Sequence, residues 1–216
     1  MKRAYSSAKR PISQIKLVAV GLYSDTNHIG ILHRPEGLSN EPFFLHLGDH
    51  CKLANEKIPS KVAAWIDPDI HPMLLPHLAR WCKYINELHG SGTMPYGFSS
   101  PEAFFDADGG IVEGKVGLTC STFVLAIFHQ VGIKLIDYAD WPKLSFEDKS
   151  ERKRMTKTIE AKDNSHALKL ETDATESRYS PLQVAGAAAE DADRRPVKHS
   201  SANFLGNKIK KLIKPR

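Results

Sequence analysis

Gly117-Leu118-Thr119-Cys120-Ser121-Thr122-Phe123-Val124 is the stretch on which the reading of this chain turns. A cysteine stands where a loop runs into an apolar helix: Val124, Leu125, Ile127, Phe128 and Val131 recur at helical spacing up to Gly132, with Thr119 placed as the N-cap. The N-terminus of a helix offers unpaired N–H donors and about half a positive charge, which favours thiolate over thiol. The same donors are able to hold an oxyanion. A lone cysteine is more often a small buried hydrophobe. A nucleophile needs a base within hydrogen-bond reach and a group that orients the base.

Two of the ten histidines meet that need by their placement. Upstream, Ile15 to Tyr23 and Ile29-Gly30-Ile31-Leu32 read as strands separated by the polar break Ser24-Asp25-Thr26-Asn27. The turn-prone stretch Arg34 to Asn40 leads to a third strand, Phe43-Phe44-Leu45-His46-Leu47, which closes at Gly48-Asp49. The first third is therefore expected to be an antiparallel β-meander. His28 opens its second strand and His46 lies inside its third. An imidazole among strand-forming apolar residues costs free energy unless it has a partner.

Between strands and cysteine, Leu75, Leu78, Ala79, Cys82, Ile85 and Leu88 recur at helical spacing up to Gly90, after a stretch broken by Pro68, Pro72 and Pro76. A loop rich in Gly, Pro and Ser spans Ser91 to Gly117. Beyond Trp141-Pro142 the run Glu147 to Arg154 is charged and apolar periodicity fades up to Thr175, as in a solvated extension. Ser180-Pro181 then opens a short capped helix through Leu182, Val184, Ala185 and Ala188. The order of elements predicts an α+β fold, an antiparallel sheet packed against helices.

The chain has 216 residues and 24.1 kDa, enough for one domain with appendages. With 41% hydrophobic and 25% charged residues, it is neither a fibrous nor a wholly disordered chain. The net charge of +5 is largely terminal: Lys2, Arg3, Lys9 and Arg10 at one end, Lys208, Lys210, Lys211, Lys214 and Arg216 at the other. Such ends are expected to be solvated tails making weak contacts with anionic groups, and no specific nucleic-acid partner is expected. No apolar run reaches the ~18 residues that span a bilayer, and Lys16 interrupts the first apolar stretch. Neither signal peptide nor transmembrane segment is expected, and a cytoplasmic location follows. Cys51, Cys82 and Cys120 are odd in number and form no CxxC pair, which fits a reducing compartment.

The residues around Cys120, from Thr119-Cys120-Ser121-Thr122-Phe123-Val124 to Val131-Gly132-Ile133, resemble the nucleophile helix of NlpC-like cysteine peptidases, where Asp-Cys-Ser-Gly-Phe-Val runs into an apolar helix. Met94-Pro95-Tyr96-Gly97-Phe98-Ser99-Ser100-Pro101 resembles the Pro-Tyr-x-Trp-Gly-Gly stretch before that cysteine. His28-Ile29-Gly30-Ile31 resembles the strand with the catalytic base, and Phe44-Leu45-His46 the strand with the orienting residue. Here the histidine strands precede the cysteine helix, as in the circularly permuted branch that includes lecithin retinol acyltransferase-like proteins. The chain departs from the pattern at Thr119, which replaces Asp, at Thr122, which replaces Gly, at Phe98 near the family's Trp, and in a longer loop over Glu102 to Gly117.

The resemblance implies a papain-like catalytic domain over residues 15–141, preceded by a basic arm over 1–14. A charged flexible segment over 142–179 and a short helix with a basic tail over 180–216 follow. It implies a thiol hydrolase, peptidase or amidase, or an acyltransferase, acting without a cofactor on a peptide or acyl substrate, a cell-wall-type peptide among them. Cys120 would be the nucleophile, His28 the base, His46 its orienter, and Tyr96, Thr119 and Ser121 would serve the substrate or the oxyanion. Cys120 would be the one strongly reactive thiol. An inactive binding module of the same fold is the alternative. A metal site built on His46, His50 and Cys51, with Cys82 more distant, ranks below both. Asp106-Ala107-Asp108-Gly109-Gly110 lacks the remaining ligands of a calcium loop and reads as a turn. No GxSxG, P-loop or dinucleotide fingerprint is present.

Overall fold

The structure, a computed structural model, describes residues 3–34, 41–48, 52–90, 92, 94–98, 102–112, 117–172 and 176–213. Six strands make one sheet: β1 (Ala4–Ser6), β2 (Val18–Tyr23), β3 (Ile29–His33), β4 (Phe43–Leu47), β5 (Leu53–Lys57) and β6 (Val62–Ile66). Their order is β1-β6-β2-β3-β4-β5, and every pair is antiparallel. Strands β2 to β5 are the expected meander carried one strand further. Strand β6 then returns to the free side of β2, and β1 closes that edge.

Strand alternation divides the sheet into two faces. Val18, Val20, Leu22, Ile29, Ile31, Leu45 and Leu47 join the larger core, against the helices. Ala19, Leu32, Phe44 and Trp65 form a second cluster on the other face, covered by Ile12, Ile15, Tyr5 and Tyr23. The larger core is completed by α1 (Leu74–His89) and α2 (Cys120–His129). Helix α1 buries Leu78, Ala79, Cys82 and Ile85 in it, with Leu75, Trp81 and Tyr84 packed against it half-buried, whereas nine of the ten residues of α2 are buried. Such all-round burial marks α2 as the central helix. Between α1 and α2, β7 (Phe104–Phe105) and β8 (Ile111–Val112) pair as a short ribbon. Asp106 accepts from the N–H groups of Asp108 (2.9 Å) and Gly110 (2.7 Å), so that carboxylate makes the turn, as expected.

The C-terminal third differs from expectation. The segment over 142–179, read as a charged flexible extension, forms α3 (Phe146–Glu160) and α4 (Asn164–Thr172). Ser145 caps α3 in a reciprocal capping box with Asp148, and Ile159, Ala167 and Leu170 enter the larger core. Three well-placed apolar side chains and a strong cap thus order a chain that looks solvated by composition. The short helix beginning at Pro181 is present as α5 (Pro181–Ala188). The basic tail after it is folded as α6 (His199–Ile213), whose Ala202, Gly206 and Ile209 are buried. The basic N-terminal arm likewise contributes an edge strand, β1. No helix among the described residues is long and apolar enough to cross a membrane.

Candidate functional site

Cys120 is the first residue of α2. Thr119 caps the helix by accepting from the Thr122 N–H (3.2 Å), while its own N–H donates to the Thr122 hydroxyl (2.8 Å). The polar groups of Thr119 are engaged in the cap, and Thr119 lines the cleft beside Cys120. Thr122 supplies the other half of this box. The cap leaves the N–H groups of Cys120 and Ser121 for the sulfur or for an oxyanion.

Gly117 makes the approach to Cys120. Its φ is +106°, and a Cβ there would fall 2.2 Å from the Pro95 carbonyl oxygen. That close passage lets Leu118 donate to Pro95 (3.0 Å) and accept from Gly97 (3.1 Å), bridging Tyr96 to the segment just before the nucleophile. Tyr96, 5% exposed, is thereby fixed as a wall of the cleft into which Cys120 opens. The cleft has a cavity volume of ≈ 110 Å³, smaller than the ~300–1,000 Å³ usual for small-molecule sites. Its opposite wall comes from α3 and the segment after α4: Asp148, Glu151, Arg152, Met155, Arg178 and Tyr179.

The imidazoles are organised by three adjacent strands. His28 Nε2 lies 2.7 Å from His46 Nδ1, and His46 Nε2 lies 3.0 Å from Glu56 Oε1 on β5. Gly30 makes this possible, since a Cβ there would meet the His46 Cβ and the Phe44 ring at 2.7 Å and the Leu45 carbonyl at 2.6 Å. With Gly30 in place, Phe44 and His46 lie stacked, centroids 4.9 Å apart, over β3. Tyr23 covers His28 from the side at 4.8 Å.

Cys120 meets the same region by way of the backbone. The Ile29 N–H favours the thiolate form of Cys120, and Asn27 lines the cleft beside it. The sulfur arrives from the face covered by helices, with Ile29 and Ile31, and the imidazoles lie among Tyr23 and Phe44 of the other face.

Burial pushes the Cys120 thiol above its ordinary value, opposed by the Ile29 N–H, the Ser121 hydroxyl and the α2 N–H groups. The helix N-terminus therefore does not by itself make a thiolate, contrary to the expectation from position alone. Ser121 is 1% exposed, and its buried hydroxyl has no hydrogen-bond partner among the described residues. Burial, then the neighbouring His46, bring His28 down to about 4, while Asp25 and Glu56 act upward. Burial also lowers His46, against the pull of Glu56. Burial likewise raises the thiol of Cys82, which lies wholly inside the core.

The structure thus brings His28 to His46 directly and Cys120 to the residue after His28, with Tyr96 and Ser121 in the cleft wall. Sequence reasoning missed Glu56 and the α3 wall. His50 and Cys51, two of the metal ligands considered, lie outside the described residues, and among the described residues no group of three His, Cys, Asp or Glu is placed to hold a metal ion. No protein-family model, no curated protein and no solved structure matches the chain.

Proposed function

We propose that this protein is a cysteine hydrolase or acyltransferase with a papain-like, circularly permuted NlpC-like fold, acting on an amide or ester through an acyl-Cys120 intermediate. The reading is carried by one observation. The hydrogen-bonded chain from Glu56 through His46 to His28 ends one residue from Ile29, whose backbone N–H favours the Cys120 thiolate.

With the thiol raised and His28 lowered, the resting pair is a neutral thiol and a neutral imidazole rather than a preformed ion pair. His28 then acts as a general base. It takes the S–H proton as sulfur bonds the carbonyl carbon. The N–H groups of Cys120 and Ser121 stabilise the oxyanion. The C–N or C–O bond breaks as His28 passes the proton to the leaving amine or alcohol. Water or another acceptor, deprotonated by His28, attacks the thioester and returns the thiol. A non-catalytic binding module is the competing reading, favoured by the burial that raises the Cys120 thiol.

The two readings part on covalent chemistry. Incubated with an activated ester such as p-nitrophenyl acetate, the wild type is expected to carry one acyl group on Cys120 by mass spectrometry, with Cys82 unmodified. His28→Ala is expected to abolish the adduct and His46→Ala to slow it, on the order of a hundredfold and tenfold respectively. An adduct on another residue, or one indifferent to His28, overturns the assignment. Bare absence of the adduct supports the binding module.

A further inference from the structure

We infer that Glu56 is a positioning residue that fixes which nitrogen of His28 carries the lone pair, and so decides that the imidazole facing the Cys120 end of the chain is a base. The inference rests on the reading of His28 as the base for Cys120. It starts from donor and acceptor chemistry alone. A carboxylate only accepts, so the 3.0 Å contact to Glu56 Oε1 requires the proton of His46 to sit on Nε2. In neutral His46 that leaves Nδ1 as an acceptor. The 2.7 Å contact across the strands then requires His28 Nε2 to be the donor. Neutral His28 has one proton, so its Nδ1 is left with a lone pair. Three acceptors and two protons thus leave one consistent order along the chain.

Without Glu56, the order is no longer set. His46 carrying its proton on Nδ1 would donate to His28 Nε2, and His28 would hold its own proton on Nδ1. The hydrogen bond between the rings would be equally good, yet the nitrogen remaining for the thiol would be unable to accept a proton. The backbone supports this role for Glu56 in particular. It sits opposite Phe44 in the β4–β5 register and His46 opposite Ala54, so Glu56 and His46 are diagonal neighbours on one face. Strand β5 is the edge of the sheet and Glu56 is about half exposed (51%), so its replacement removes little core packing. The other charged groups facing this chain are Asp25 near His28 and Lys52 near His46, and neither makes a hydrogen bond to the rings.

The test reads tautomers before it reads activity. In long-range proton–nitrogen spectra at neutral pH, wild-type His28 and His46 are both expected as Nε2–H forms. In Glu56→Ala, His28 is expected to gain an Nδ1–H population, and acylation of Cys120 to slow on the order of tenfold. Glu56→Asp, which keeps the acceptor charge, is expected to recover part of both. An Nδ1–H form of His46 in the wild type, or unchanged His28 tautomers in Glu56→Ala, overturns the inference. A wild type that shows the expected tautomers but forms no acyl-enzyme leaves the proton order standing and removes the proposed function instead.

Discussion

At the scale of single residues, the lowered His28 has a consequence for folding as well as for proton transfer. The unfolded chain binds a proton on this imidazole below about pH 6.5, whereas the folded chain resists it down to about 4. Stability is therefore full above pH 6.5 and falls as pH drops through the window from 6.5 to about 4, by about 3 kcal/mol from this group alone. His46 is lowered too and adds in the same direction. Urea melts at pH 7.5 and 4.5 check this: His28→Asn is expected to shrink the difference between the two, and an unchanged difference would sink the argument. Cys120, His28 and His46 were legible because each is a polar residue that its surroundings do not explain. Glu56 was not, since a glutamate alternating with small and polar residues in Leu53-Ala54-Asn55-Glu56-Lys57 looks like any solvated strand face. Its partner, His46, is ten residues away and visible only once the strands pair. Thr119 reads as an N-cap from its position, and its reciprocal partner Thr122 is visible only in the structure.

Among the elements, those with a strong period were read correctly and those defined by pairing were not. The three central strands and both core helices announce themselves by apolar spacing. Strand β5 has one buried anchor, Leu53, and β6 is a short apolar run that periodicity alone does not assign. Helix α3 has few buried residues and was hidden by its charge. The pair α5 and α6 shows what sequence periodicity cannot report, namely how closely two helices approach. A Cβ on Gly186 would lie 2.1 Å from the Ala202 carbonyl oxygen, and one on Gly206 would lie 2.5 Å from that of Leu182. The backbones touch, and the crossing tolerates no side chain. Gly206→Ala gains about 1 kcal/mol of helix propensity but forces the helices apart, for a net loss of about 1–3 kcal/mol. A melting temperature lower by roughly 2–10 °C is expected, with exposed Asn203→Ala as the control on the same helix. Equal melting of Gly206→Ala and wild type would show that the crossing yields.

For the whole molecule, the sheet and α2 form the floor of the cleft and α3 with α4 its cover. The cover is held largely by polar contacts: Arg178 pairs with Asp148 (3.1 Å) and Glu151, Arg152 stacks on Phe98 (4.6 Å), and His166 Nε2 donates to the Tyr96 carbonyl (2.5 Å). Ion pairs of this exposure are worth roughly 0.2–1 kcal/mol each and weaken with salt, whereas the apolar floor does not. Raising ionic strength from about 0.05 to 0.5 M is expected to speed iodoacetamide labelling of Cys120 roughly three- to tenfold with little change in melting temperature. Labelling indifferent to salt would mean that the cover is held by Ile159, Ala167 and Leu170 instead. The cover also leaves and rejoins the floor at one place, since Lys143 bridges Ser177 and the Leu144 N–H donates to Glu176 (2.7 Å). An excursion whose two ends already touch can be lengthened, shortened or exchanged over generations at small cost in loop closure. Heredity is thus free to alter what enters the cleft through a segment that takes no share in making or breaking the bond.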